Sequence, residues 1–199
     1  GVNLTLYNPA KEYGTPDDVQ NIPHPIIGYM GTINSTRLDG ELLYQIISQR
    51  PDYSFVFTGP EDDGFRQHRI HSLKNAYFTG QKKVDELPAY ITAYDVCINP
   101  QMVNDITDGN YPLKIDEYLA MGKPTVATST HTMRHIFADH THLATNPEEW
   151  LSAIDRAVTE ADDKELAKQR IAFAETHSWG HSVKKIYGII DNFLKEKAT

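Results

Sequence analysis

Residues 112–128 read Pro112-Leu113-Lys114-Ile115-Asp116-Glu117-Tyr118-Leu119-Ala120-Met121-Gly122-Lys123-Pro124-Thr125-Val126-Ala127-Thr128. Leu113 to Met121 has helical apolar spacing. Gly122-Lys123-Pro124 is a helix stop, because glycine takes the C′ position and proline cannot continue the helix. Thr125–Thr128 then has the short, β-branched character of a buried strand. A helix feeding a short buried strand is half of a βαβ unit. The same alternation extends outward in both directions. Strands are expected at 26–30, 54–58, 76–79, 96–99, 125–128 and 141–144. Helices are expected at 39–49, 63–73, 84–93, 113–121 and 132–137. Alternating elements of this kind build a parallel sheet covered on both faces. The fold class is therefore α/β, a Rossmann-like doubly wound parallel sheet of about six strands.

Asn146, with Pro147 behind it and Glu148-Glu149 in the first turn, marks a helix start. From there the chain reads as helix only, at 147–161, 163–177 and 180–196, a C-terminal helical tail. Val183, Ile186, Tyr187, Ile190, Phe193 and Leu194 form one stripe on the last helix. Residues 1–25 lack periodicity and hold Pro9, Pro16, Pro23 and Pro25, so they read as a linker-like segment. The expected organisation is a linker-like segment at 1–25, a Rossmann-like domain at 26–177 and a C-terminal helix at 178–199.

The chain has 199 residues, a net charge of −8 and one cysteine, Cys97. The acidic balance argues against a nucleic-acid partner. One cysteine excludes an internal disulfide framework and a Cys-rich zinc site. The nine histidines form no metal pattern. No apolar run approaches the ~18 residues of a membrane span. The chain opens on Gly1, and the expectation is a processed or excised piece of a longer protein.

In doubly wound sheets, ligands bind beyond the carboxyl ends of the strands. After the first strand come Gly31-Thr32 and then Arg37, a glycine turn with a nearby cation that can receive a phosphate. An ordinary βα turn accounts for these residues equally well. After the third strand, Gly80 and Gln81 offer free backbone groups, suited to a base edge or to plain solvent. After the fourth strand, a polar loop from Gln101 to Pro112 leads into Lys114 and Glu117. Three residues apart, these share one helix face. A lysine in a first turn opposes the helix dipole, which suggests an anion arriving there. Glu117 could accept hydrogen bonds from a diol such as ribose. An i,i+3 surface ion pair is the alternative reading of the same two residues.

The stretch Pro112–Thr128 resembles the donor-binding half of GT-B-type retaining glycosyltransferases that use nucleotide sugars, the group 1 or family 4-like enzymes. Gly28-Tyr29-Met30-Gly31, Phe55 to Pro60, Phe78-Thr79-Gly80 and His177-Ser178-Trp179 are similar to that family's motifs in the same order. Gly1-Val2-Asn3 with Tyr7 and Pro9 resembles its linker. The resemblance implies a C-terminal donor-binding domain of an enzyme of polysaccharide or glycoconjugate synthesis. It implies nucleotide-sugar binding by Gly31, Thr32, Arg37, Gly80, Gln81, Lys114 and Glu117. It implies a UDP- or GDP-linked donor and neither metal nor other cofactor. The family's second glutamate falls at Gly109, which leaves adjacent Asp108 as the catalytic candidate. Its usual Arg and Lys near the first helix fall at Thr32 and Leu38. The acceptor-binding N-terminal domain has no counterpart in this chain, so the piece is expected to be inactive alone. The full-length enzyme is expected in the cytoplasm, with peripheral attachment to the inner face of the membrane. Two other readings compete. One is a flavin- or nucleotide-binding flavodoxin-like module, suggested by Thr32, Asn34, Ser35 and Thr36. The other is a non-catalytic domain that kept the fold, suggested by Gly109.

Overall fold

The computed structural model describes residues 1–105 and 107–197. Its centre is a six-stranded parallel sheet of order β3-β2-β1-β4-β5-β6. The strands are β1 (Ile26–Met30), β2 (Ser54–Thr58), β3 (Ala76–Gly80), β4 (Val96–Asn99), β5 (Thr125–Thr128) and β6 (His142–Ala144). The helices are α1 (Gly40–Ser48), α2 (Asp63–Arg66), α3 (Leu87–Ala93), α4 (Leu113–Ala120), α5 (Pro147–Thr159), α6 (Lys164–Thr176) and α7 (Trp179–Lys197). This is the doubly wound arrangement expected from the alternation. The order reverses between β1 and β4, which opens a crevice at their carboxyl ends.

Period-two alternation sorts the strand residues between two cores. Ile27, Tyr29, Phe55, Phe57, Val96, Ile98 and Val126 pack with α1, α2 and α5. Ile26, Met30, Val56, Cys97 and Ala127 pack with α3, α4 and α6. Gly28 is required by packing, since a Cβ there would lie 2.0 Å from the Tyr94 ring. Asp39 caps α1 through Leu42 N at 2.9 Å, and Asn146 caps α5 through Glu149 N at 2.9 Å.

Three elements differ from the sequence expectation. The helix expected at 63–73 is two pieces, α2 and a 3-10 turn at Arg69–Ser72. His68 adopts extended backbone between them, and its ring caps Ile70 N at 3.2 Å, which lets Phe65 and Ile70 both reach the core. α3 begins at Leu87 instead of 84, with Pro88 in its first turn, where a proline sets the helix start. The segment expected as a helix at 132–137 contains a π-helical turn at Met133–Phe137, then a 3-10 turn at Ala138–His140.

Residues 1–25 are irregular, as expected, yet they are packed. Val2, Tyr7, Val19 and Ile22 are buried in the α3/α4/α6 core. Val2 N donates to His177 O at 3.1 Å, so both ends of the domain meet. Helix α7 leaves the body with Val183, Ile186, Tyr187, Ile190, Phe193 and Leu194 exposed. The last two positions of the segment expected at 178–199 lie outside the described residues.

Candidate functional site

The crevice between β1 and β4 holds a pocket of about 410 Å³. Tyr29, Gly31, Thr32, Asn34, Arg37, Leu38, Gln101, Asn110 and Lys114 line it. Four of the residues singled out from the sequence, Gly31, Thr32, Arg37 and Lys114, therefore converge. Gly31 takes φ +131°, a conformation that L side chains rarely adopt, and a Cβ there would meet Lys114 Nζ at 2.9 Å. The bare turn is what admits the lysine amine beneath the loop.

Lys114 is not a surface residue paired along its helix. Its Nζ donates to Tyr29 Oη at 2.6 Å and lies 4.0 Å from the centre of the Tyr29 ring. Tyr29 Oη in turn donates to Thr32 O at 2.9 Å. Burial drives the Lys114 amine down to about 7; Glu117 partly offsets this and Arg37 adds to it. The Arg37 guanidinium makes no hydrogen bond or ion pair among the described residues and is exposed at the rim. No side chain caps α4. An incoming anion would therefore meet Lys114, Arg37 and uncapped amides, and its charge would return the proton to Lys114.

Glu117 sits one turn further along α4, outside the pocket lining. Burial raises its carboxyl to about 7, against the lowering influence of a hydrogen bond from Tyr7 and of the Lys114 charge. The i,i+3 pair is thus a pair of half-buried groups that titrate near neutrality. Gly80 and Gln81 are exposed at the end of β3, two strands from β1, so they flank the pocket without entering it. Asp108 also lies outside the lining. Its Oδ1 accepts from His131 N at 2.7 Å, which ties the loop after β4 to the segment after β5. Gly109 faces open space. The loop ends on a buried anchor: Asp116 accepts from Tyr111 Oη at 2.6 Å and pairs with His177 Nδ1 at 2.9 Å. That contact holds the approach to Lys114 against the helical tail.

Two of the hydroxyls that suggested a flavodoxin-like phosphate loop, those of Ser35 and Thr36, are engaged internally. Ser35 Oγ donates to Asp62 at 2.7 Å and Thr36 Oγ1 to Asn34 at 2.5 Å. Among the described residues, no group of three or more His, Cys, Asp or Glu could hold a metal. No described helix is long and apolar enough to cross a membrane. A second pocket of about 240 Å³ lies by β6 and α6, where Glu160 pairs with both His142 and Arg170.

Sequence reasoning missed Tyr29, Gln101, Asn110 and Tyr7. Gln101 had a signal, since it stands two residues past the end of β4. Tyr7 was marked only by the linker resemblance, because nothing in an aperiodic segment shows a residue to be buried beside α4.

The model of the glycosyl transferases group 1 family matches residues 24–160. TuaH of Bacillus subtilis (strain 168), named as a teichuronic acid biosynthesis glycosyltransferase, is 26% identical over 193 residues, spanning 94% of this chain and 48% of that protein. The sucrose-phosphate synthase tll1590 of Thermosynechococcus elongatus superposes with a TM-score of 0.73 at 20% identity, over 98% of this chain and 52% of that one. Anabaena Alr3699/HepE, solved in complex with UDP, superposes with a TM-score of 0.73 at 15% identity, over 96% of this chain and 56% of that one. The chain spans about half the length of these relatives. The motif at 112–128 lies within the matched residues and brings Lys114 to the pocket, and the chain belongs to the group 1 glycosyl transferases.

Proposed function

We propose that the chain is the donor-binding, C-terminal half of a glycosyltransferase that moves a sugar from a UDP- or GDP-linked donor to an acceptor, without a metal or other cofactor. The acceptor belongs to polysaccharide or glycoconjugate synthesis, in keeping with the name of TuaH. The observation that carries the reading is the convergence of Lys114 and Arg37 on the glycine turn in one pocket. The diphosphate lies over Gly31 and Thr32, where two cations compensate its charge. The ribose diol reaches Glu117, whose carboxylate accepts from hydroxyls. The base lies toward Gly80 and Gln81. The UDP complex of HepE supports this choice of ligand.

Transfer needs acceptor and donor held in near-attack geometry. An acceptor-binding half supplies that cleft, and the present chain alone is inactive. The whole enzyme works in the cytoplasm at the inner membrane face. A non-catalytic domain is the second reading, favoured by Gly109, which places no carboxylate beside the pocket. Turnover by the whole protein decides between them.

Calorimetry on Glu117→Ala and Lys114→Ala tests the site. Glu117→Ala weakens a nucleoside and its diphosphate alike, by roughly 1–3 kcal/mol, because the diol loses its acceptor. Lys114→Ala weakens the diphosphate alone, and the wild-type advantage fades with salt. No saturable binding of UDP, GDP or ADP at millimolar concentration would overturn the assignment.

A further inference from the structure

Four buried side-chain polar atoms lack a partner among the described residues: Asn99 Oδ1, Gln101 Oε1, Thr128 Oγ1 and Trp150 Nε1. Three of them stand at the carboxyl ends of β4 and β5. Gln101 alone also lines the pocket that holds Lys114 and Arg37. It is 8% exposed. Native structures leave few buried polar atoms unpaired, and each such atom asks for a partner.

The position of Gln101 is fixed on both sides. Its own N donates to Asn99 O at 3.0 Å. Asp39 N donates to Pro100 O at 3.1 Å, and Met102 N donates to Arg37 O at 2.8 Å. The strand end is thus stitched to the loop between β1 and α1, with Leu38 bridged to Gln101. These main-chain bonds fix where the side chain leaves the backbone, and burial leaves its amide little solvent to turn to. It waits inside a pocket whose other polar side chains include two cations.

We infer that Gln101 reads a hydroxyl of the transferred sugar and so helps to set donor specificity. The inference rests on the proposed nucleotide-sugar site and extends it. A phosphate already has its cations at Lys114 and Arg37, and its oxygens would repel the orphaned carbonyl oxygen. A hydroxyl both donates and accepts, so it satisfies either end of a carboxamide. The strand order gives the ligand its direction. The base lies toward β3, the diphosphate over the turn after β1, and the sugar falls at the end of β4, the strand on the opposite side of β1.

The test compares Gln101→Met with wild type by calorimetry, using UDP, GDP, UDP-glucose, UDP-galactose and GDP-mannose. Methionine keeps the length and removes the amide. The expected result is that UDP or GDP binds within twofold of wild type. The ratio of sugar-ester to diphosphate dissociation constants rises about tenfold for at least one ester, as for a hydroxyl that loses its partner. The variant melts at or above wild type, because an unpaired buried polar atom has been removed. A ratio unchanged within twofold overturns the inference and leaves the nucleotide site standing. Equal weakening of diphosphate and ester, with normal melting, places Gln101 on the nucleotide and overturns it too. No saturable diphosphate binding by wild type overturns the site assignment and this inference with it. Should Gln101→Met not fold, Gln101→Asn, one methylene shorter, is read by the same ratio.

Discussion

Replacing Lys114 by Met separates what the residue does for the ligand from what it costs the fold. The buried amine releases its proton near 7 instead of 10.5. At 1.36 kcal/mol per pH unit this corresponds to about 5 kcal/mol against the protonated form in the folded state. Because Lys114 as a whole is only half-buried, solvent screening reduces the effect to about 2–3 kcal/mol. The sign follows from proton counts. Between pH 7 and 10.5 the unfolded chain binds this proton and the folded chain does not, so wild-type stability climbs with pH across that window. Below pH 7 the whole cost is present. Methionine has no such slope. Tyr29 Oη keeps its bond to Thr32 O, so the deletion leaves no orphaned hydroxyl. The melting advantage of Lys114→Met over wild type is therefore larger at pH 6 than at pH 9.5. The excess is about 4–8 °C for a chain of this size. The same variant loses diphosphate affinity. Thermal melts at the two pH values, with a UDP titration at pH 7, supply the comparison. A variant that melts below wild type at pH 6, or a difference indifferent to pH, would refute the reasoning.

Three further outcomes are expected. Tyr7→Phe removes the hydroxyl that hydrogen-bonds Glu117 and so moves the Glu117 carboxyl above its present value of about 7; carbon-13 titration of the glutamate side chains reads this, and an unmoved midpoint refutes it. Asp108→Ala deletes the acceptor for His131 N and lowers stability by about 1 kcal/mol, as loss of a cap does, without changing UDP affinity; lost affinity at normal stability would make Asp108 a ligand group instead. Arg37→Ala, at the exposed rim, leaves stability within about 0.5 kcal/mol of wild type and weakens UDP most at low salt; salt-independent weakening would speak against a cation acting on phosphate.

The sheet was legible because its signals are local. Each strand is a four- or five-residue apolar run, except the three-residue β6, and capping residues such as Asp39 and Asn146 stand at helix starts. The strand-end rule then led to Gly31, Arg37 and Lys114 without reference to any contact. The remainder of the site depends on what the fold brings from afar. Tyr29 alternates into its core from β1 like any core residue, and only the reach of Lys114 from α4, which packs on the other face of the sheet, brings an amine to its hydroxyl. Tyr7 is separated from Glu117 by 110 positions, with no periodicity to announce it. The character of the Lys114–Glu117 pair was equally hidden. Spacing says that two side chains share a face, whereas burial decides whether they are a solvated ion pair or two groups poised to titrate. His68 shows the same limit at the level of helices. A polar run of helical spacing became two pieces because both Phe65 and Ile70 had to reach one core.

The central claim is that the crevice between β1 and β4 holds a nucleoside diphosphate. Amide NMR of the nitrogen-15-labelled chain during titration with UDP and with GDP tests it directly. The account predicts saturable shifts in at least one titration, concentrated at Gly31 to Leu38 and at Gln101 to Lys114, and lost in Lys114→Met. Saturable shifts centred instead on residues 138–142 and 160–170, or an unchanged spectrum at millimolar nucleotide, would contradict it.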